Sequence, residues 1–190
     1  MKDILKFSFL LFMFLGVLAS CGDDEDILPI DEEWKEQNTN AFLTRSFDET
    51  NFQRLDSESG DGYILYRVIE EGEGTEQIYY TSTVEVYYKG CLIRDEGGNI
   101  IENQDEVLEK GVVFDSVTRE SGSEPVQMSP TGVIDGWATA LQHMHVGDRW
   151  EIWIPYQLAY GVSGSSQGEV TILPYTTLVF DLEVAGIAEQ

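Results

Sequence analysis

Val133, Trp137, Leu141 and Met144 recur at three- and four-residue spacing, so this stretch predicts a short helix with one apolar face. Val146-Gly147-Asp148 then turns the chain. Trp150, Ile152 and Ile154 alternate with Arg149, Glu151 and Trp153, the period of a strand with one buried face. The same two-residue alternation marks Val84, Val86 and Tyr88, and it is clearest in Leu178, Phe180, Leu182 and Val184, whose outward neighbours are mostly polar. Tyr63 to Ile69 reads as a strand with apolar residues on both faces, and Glu70 to Thr75 as a Gly-containing hairpin turn. Strands separated by turns, with one short helix on the inner face, predict an α+β fold: an antiparallel twisted β-sheet half-barrel wrapped around one short α-helix.

Upstream, the pattern changes. Phe7 to Leu18 is an almost uninterrupted apolar run preceded by a short polar start that Lys2 and Lys6 flank, too short to span a bilayer comfortably, and it closes on small residues. Residues 1–20 therefore read as a signal peptide. Leu18-Ala19-Ser20-Cys21 resembles a bacterial lipobox, which implies cleavage before Cys21 and lipidation of that residue; an ordinary secretory signal is the plainer alternative. Gly22 to Asp26 is an acidic spacer that stands off anionic lipid. It also resembles the acidic tags of lipoproteins sent to the outer membrane, including its outside face. The expected location is the bacterial cell envelope, lipid-anchored, with no other membrane contact. Asp31, Glu32 and Glu33 make a good helix start, with Ile30, Trp34, Ala41 and Phe42 on one side, a helical appendage able to dock on the domain. Ser46 to Gly60 reads as linker, so residues 21–60 form a tether, short helix and linker before a domain at 61–190.

A length of 190 residues suits one domain with appendages. With 35 acidic against 11 basic residues, a net charge of -24 argues against nucleic acid as a partner. With Cys21 lipidated, Cys91 is left alone, so the fold stands on its core without a disulfide, and Cys91 reads as a small buried apolar residue. His143 and His145 lack further metal ligands, Gly161 to Ser165 misses the spacing of a nucleophile turn, and the acidic clusters lack the spacing of a calcium loop. No metal and no cofactor are expected.

Val133-Ile134-x-Gly136-Trp137, the following Leu141, Met144 and Gly147, and then Ile154-Pro155 and Leu158-Ala159-Tyr160-Gly161 resemble the FKBP-type peptidyl-prolyl cis-trans isomerases in bacterial lipoprotein form. Tyr88-x-Gly90, Phe114-Asp115-Ser116 and Leu178 to Leu182 extend the match in order over roughly the last two thirds of the chain. The resemblance implies an isomerase that assists the folding of exported proteins. Its partners are proline-containing segments of envelope or secreted polypeptides, with a macrolide as a further ligand. It also implies the site: Trp137 as floor, Tyr88, Phe114, Val133, Ile134 and Phe180 as walls, Asp115 and Tyr160 as polar rim, and the Ile134 amide as donor to a substrate carbonyl. Val126, Met128 and Ile172 complete the substrate-binding set. The sequence departs from the family in three places: Val126 and Met128 stand where aromatics are frequent, the loop from Gly161 to Leu173 is enlarged, and residues 94–110 are an acidic insertion. A non-catalytic FKBP-fold chaperone or peptide-binding module of an envelope complex is the alternative of a different class. A surface glycan-binding accessory would need an exposed aromatic strip, for which Trp150 and Trp153 fall on opposite strand faces.

Overall fold

The structure, a computed structural model, describes residues 31–188. The signal peptide, Cys21, the acidic spacer and Ile30 lie outside the described residues. Seven strands form one sheet: β1 (Gln53–Asp56), β2 (Tyr63–Glu70), β3 (Val84–Leu92), β4 (Val113–Val117), β5 (Val126–Met128), β6 (Arg149–Ile154) and β7 (Leu178–Ile187). The order is β1-β2-β6-β7-β3-β4, with β5 also pairing to β3, and every pairing is antiparallel. Among the described residues three α-helices accompany it, α1 (Glu32–Ser46), α2 (Val107–Lys110) and α3 (Asp135–Leu141).

The expected helix is α3, and its apolar face meets the inner side of the sheet. Trp137, Leu141 and Met144 pack there with Val84, Ile152, Leu178 and Leu182, all within the main core. This is the predicted helix laid into a twisted antiparallel sheet, an α+β half-barrel.

The outer side differs from the expectation. Strand β6 has two buried faces, with Trp153 fully buried and Glu151 at 3% exposure. A second apolar layer covers it, in which Trp34 and Phe42 of α1 meet Leu65, Cys91, Trp153 and Val179. Helix α1 begins as the sequence predicts, with the Asp31 carboxylate accepting the Trp34 N–H at 3.0 Å. It is pinned by buried polar contacts: the Trp34 indole donates to Thr176 Oγ1 at 2.9 Å, and the Thr177 N–H donates to Asn38 Oδ1 at 2.8 Å. Buried polar groups fix register because each unpaired one costs about 1–3 kcal/mol. Arg45, 4% exposed, pairs with Asp105 at 3.0 Å and lies over the rings of Phe52 and Trp153.

Two connections also differ. The stretch expected as a linker contains β1, which pairs with β2 from Gln53 opposite Tyr66 to Asp56 opposite Tyr63. Four residues with little apolar content leave a weak strand signal. The predicted hairpin at Glu70 to Thr75 is instead a crossover, since β6 and β7 separate β2 from β3. Its glycines serve close approach: a Cβ on Gly72 would run into the backbone at Val146 and Asp148. The Gly72 N–H donates to Asp148 Oδ1 at 2.7 Å and the Gly74 N–H to Val146 O at 3.1 Å.

The 94–110 insertion is ordered by its own turn, where the Asn99 N–H donates to Asp95 Oδ1 at 2.9 Å. It then clasps α1: Gln104 donates to Ala41 O at 2.7 Å and Val107 enters the outer layer.

Candidate functional site

Four aromatic rings from four elements meet at the open end of the inner core. Trp137 enters from the first turn of α3, where the extended Ile134 caps the helix with its carbonyl accepting the Trp137 N–H at 2.9 Å. Tyr88 comes from β3, Phe114 from β4 and Phe180 from β7. The rings meet edge to face: Tyr88 on Trp137 at 5.1 Å, Trp137 on Phe180 at 5.2 Å, and Phe114 on Phe180 at 5.4 Å. Such pairs contribute about 0.5–1.5 kcal/mol each beyond their area and hold the walls rigid. Gly90 makes the closure possible, because a Cβ there would sit 2.5 Å from Phe114 Cζ and 2.6 Å from Phe180 Cε1.

These rings enclose a pocket of about 340 Å³, completed by Asp115, Met128, Gly132, Val133, Ile134 and Tyr160. That volume is in the range of small-molecule and peptide-side-chain sites. The exposed polar side chains of its lining are those of Asp115 and Tyr160. Asp115 accepts the Tyr88 hydroxyl at 2.8 Å. Ile134, at the lip, has an N–H without an acceptor among the described residues. The Trp137 indole N–H is buried and also unpaired among the described residues.

Of the residues expected at the site, the structure brings Tyr88, Phe114, Asp115, Met128, Val133, Ile134, Trp137, Tyr160 and Phe180 to this pocket. Val126 and Ile172 are not in its lining. Val126 is half-buried against the main core opposite Val86, and Ile172, 5% exposed, is tied to Ser165 by two backbone hydrogen bonds of 2.8 Å. Core packing uses the surface that was expected to face a ligand. Gly132 lines the pocket without having been anticipated, and the only signal for it is its place in the turn Pro130–Gly132. None of residues 94–110 lines the pocket, so the insertion shapes the far side of the sheet. Cys21 lies outside the described residues.

Both phenols of the pocket hold their protons more tightly than free tyrosine. Burial, then the hydrogen bond to Asp115 and its charge, push the Tyr88 hydroxyl well above its ordinary value. Burial, then Asp115, raises Tyr160. In the outer layer, burial pushes the Cys91 thiol up to about 11. A group that ionises less readily when folded lends stability below its unfolded value and loses it as pH rises through its folded one. Stability is therefore expected to hold to about pH 8 and to fall from about pH 9 upward, where unfolded Cys and then Tyr ionise. Urea midpoints across this range check it, and Tyr88→Phe with Cys91→Ala flattens the alkaline fall.

No group of three or more His, Cys, Asp or Glu is placed to hold a metal among the described residues. His143 Nδ1 lies 2.9 Å from Thr139 O, and His145 Nδ1 lies 3.7 Å from Asp148. A larger groove, about 510 Å³, runs over the outer face of the sheet and is lined by Lys89, Arg119, Arg149, Asp181 and Glu183. Its guanidiniums are spent on its own carboxylates, Arg149 on Asp181 at 2.6 Å and Arg119 on Glu183 at 2.6 Å. No helix among the described residues is long and apolar enough to cross a membrane.

The family model described as FKBP-type peptidyl-prolyl cis-trans isomerase matches residues 74–185, which contain every residue of the pocket. A macrophage infectivity potentiator of Trypanosoma cruzi is 35% identical, the alignment covering 96% of this chain and 85% of that protein. The FKBP-type 22 kDa peptidyl-prolyl cis-trans isomerase of Escherichia coli is 36% identical over 73% of this chain, which spans 57% of that relative's length. Among solved structures, a peptidyl-prolyl cis-trans isomerase of Pseudomonas syringae superposes with a TM-score of 0.60 at 28% identity, covering 85% of this chain and 98% of its own. On pocket, fold and sequence together, this chain belongs to the family of FKBP-type peptidyl-prolyl cis-trans isomerases.

Proposed function

We propose that the aromatic pocket is where this chain turns X-Pro bonds, and that it does so for exported polypeptides from a lipid anchor at Cys21. The observation that carries the site is the convergence of Tyr88, Phe114, Trp137 and Phe180 on one pocket whose exposed polar side chains are Asp115 and Tyr160.

Rotation of a peptide bond meets a barrier of about 18–20 kcal/mol because it breaks amide resonance, and the prolyl bond is the one whose cis form is close in energy. Resonance places partial charge on the amide oxygen and nitrogen, so water stabilises the planar state. The proline ring seats on Trp137 and the amide nitrogen loses its water among apolar walls. A planar amide loses more in that exchange than a twisted one. The Ile134 N–H holds the carbonyl of the segment, and Asp115, kept in place by Tyr88, together with Tyr160 bounds the polar side. Differential binding of about 7 kcal/mol corresponds to roughly five powers of ten in rate. No bond breaks and no proton need move. The same shape suits a macrolide carrying a ring of similar size.

Anchoring is supported by Leu18 to Cys21 following an apolar run of signal-peptide length, and outer-membrane display by the acidic residues after it. The test has two arms. The fragment from about residue 27 onward is assayed for acceleration of cis to trans conversion in a Leu-Pro peptide, with Asp115→Ala beside it. Full-length protein and Cys21→Ser are labelled with a radioactive fatty acid in a Gram-negative host. Acceleration weakened by Asp115→Ala, and label lost in Cys21→Ser, are the expected results. A folded fragment that binds the peptide without accelerating it overturns the catalytic reading in favour of a binding module, and label retained in Cys21→Ser overturns the anchor.

A further inference from the structure

Among the described residues the basic side chains are sorted by face. Of the chain's 11 basic residues only Lys2 and Lys6 lie outside the described residues. Arg67, Lys89, Arg119 and Arg149 belong to the outer side of the sheet and are held by Glu151, the Leu108 carbonyl, Glu183 and Asp181. The others sit in or beside α1, β1 and the 94–110 insertion, away from the pocket lining. From Glu120 to Gln190, the stretch that supplies Met128 through Trp137, Tyr160 and Phe180, the single basic residue is Arg149, and its guanidinium is taken up by Asp181 at 2.8 and 2.6 Å. The same stretch carries exposed Glu124, Asp135 and Glu169, Asp135 directly following Ile134 of the lip.

At the pocket itself Asp115 is, among the described residues, the one lining residue with a formal charge. It is exposed, and the Tyr88 hydroxyl occupies Oδ2, while Oδ1 has no hydrogen-bond partner among the described residues. A carboxylate with one free oxygen stands beside apolar walls, with no cation in the lining to neutralise it. Low-dielectric walls focus such a field toward an incoming chain.

We infer that this pocket selects proline segments flanked by basic residues, with the free oxygen of Asp115 as the near contact and the cation-free rim as the steering field. The inference rests on the isomerase reading of the pocket and adds its substrate class. A segment bearing Lys or Arg near the proline gains attraction on approach and a partner on arrival. An acidic segment meets like charge in both steps.

Three short peptides sharing one Leu-Pro pair, with Lys, Gln or Glu at the flanking positions, test it on the fragment from about residue 27. At about 20 mM ionic strength kcat/KM is expected to fall in the order Lys, Gln, Glu, with about tenfold between the ends, and to converge to within about twofold at 0.5 M salt, where the Debye length is about 4 Å. Asp115→Asn keeps an acceptor for Tyr88 and is expected to cut the Lys-to-Glu ratio to about threefold, whatever it does to the absolute rates. Asp135→Asn, outside the lining, is expected to reduce the ratio less than Asp115→Asn does. Equal rates on the three peptides overturn the charge selection and leave the isomerase site standing. A full ratio persisting in Asp115→Asn overturns the role of this carboxylate and attributes the preference to overall net charge. Absence of turnover on every peptide by folded protein overturns both readings.

Discussion

Replacement of Trp137 by Ala is expected to lower kcat/KM on a Leu-Pro peptide about a hundredfold or more, the equivalent of roughly 3 kcal/mol of transition-state binding. The indole is 4% exposed and in edge contact with both Tyr88 and Phe180, so its loss removes the floor and frees two walls together. It also costs about 3–5 kcal/mol of stability, the usual range for an aromatic truncated in a core. Two further measurements separate these effects. Denaturation midpoints identify a temperature at which the variant is folded, and the rate is compared there. Trp137→Phe, which keeps an aromatic floor of smaller area, is expected to recover a large part of the activity. Unchanged turnover in folded Trp137→Ala would mean that the proline ring does not sit on this residue.

Deletion of residues 31–50 is expected to lower the melting temperature by about 10 to 20 °C while leaving the pocket chemistry in place. Trp34 and Phe42 are each 6% exposed, and burying such side chains contributes about 1.5–3 kcal/mol apiece. Their removal uncovers Leu65, Cys91, Trp153 and Val179 and strips Asn38 from the backbone of Thr177. Against a total stability of about 5–15 kcal/mol the loss is a large fraction. The pocket lies on the inner face, so the kcat/KM of the truncated protein in the cold, where it is still folded, is expected to stay within about threefold of the parent. Thermal unfolding followed by circular dichroism, with activity at 10 °C, checks both parts. An unchanged melting temperature would mean that α1 is a passive spacer. A collapse of activity in folded truncated protein would mean that the outer layer positions Phe180 through β7.

How much of this was legible in advance depended on the range of the interaction involved. Strand β7 and the face of α3 could be read because the alternation of Leu178 to Val184 and the spacing of Trp137, Leu141 and Met144 are local periods imposed by one buried side. The start of α1 could be read for the same reason, since the Asp31 cap acts across three residues. The hairpin expected at Glu70 to Thr75 failed because glycine in a turn and glycine under a crossing backbone look alike along the chain. The single buried face expected of β6 failed because Trp153 and Glu151 are covered by elements more than 40 residues away, and no local pattern announces a second layer. Most of the candidate site was named from the family resemblance, which carries tertiary information that periodicity lacks. Val126 and Ile172 show the limit of that transfer: a family position can keep its place in the fold and still face the core.

By itself the sequence determined the strand type of β3, β6 and β7, the helix type of α1 and α3, the acidic balance, and the order of motifs that marks the family. Tertiary structure alone decided that α1 and the insertion form an outer layer, that four rings at positions 88, 114, 137 and 180 close on one another, and that the cations among the described residues gather away from the pocket. The physical reason is the same throughout. Backbone periodicity and capping are settled within a few residues, whereas burial on a second face, ring contacts and the pairing of charges depend on which distant segments the sheet brings together.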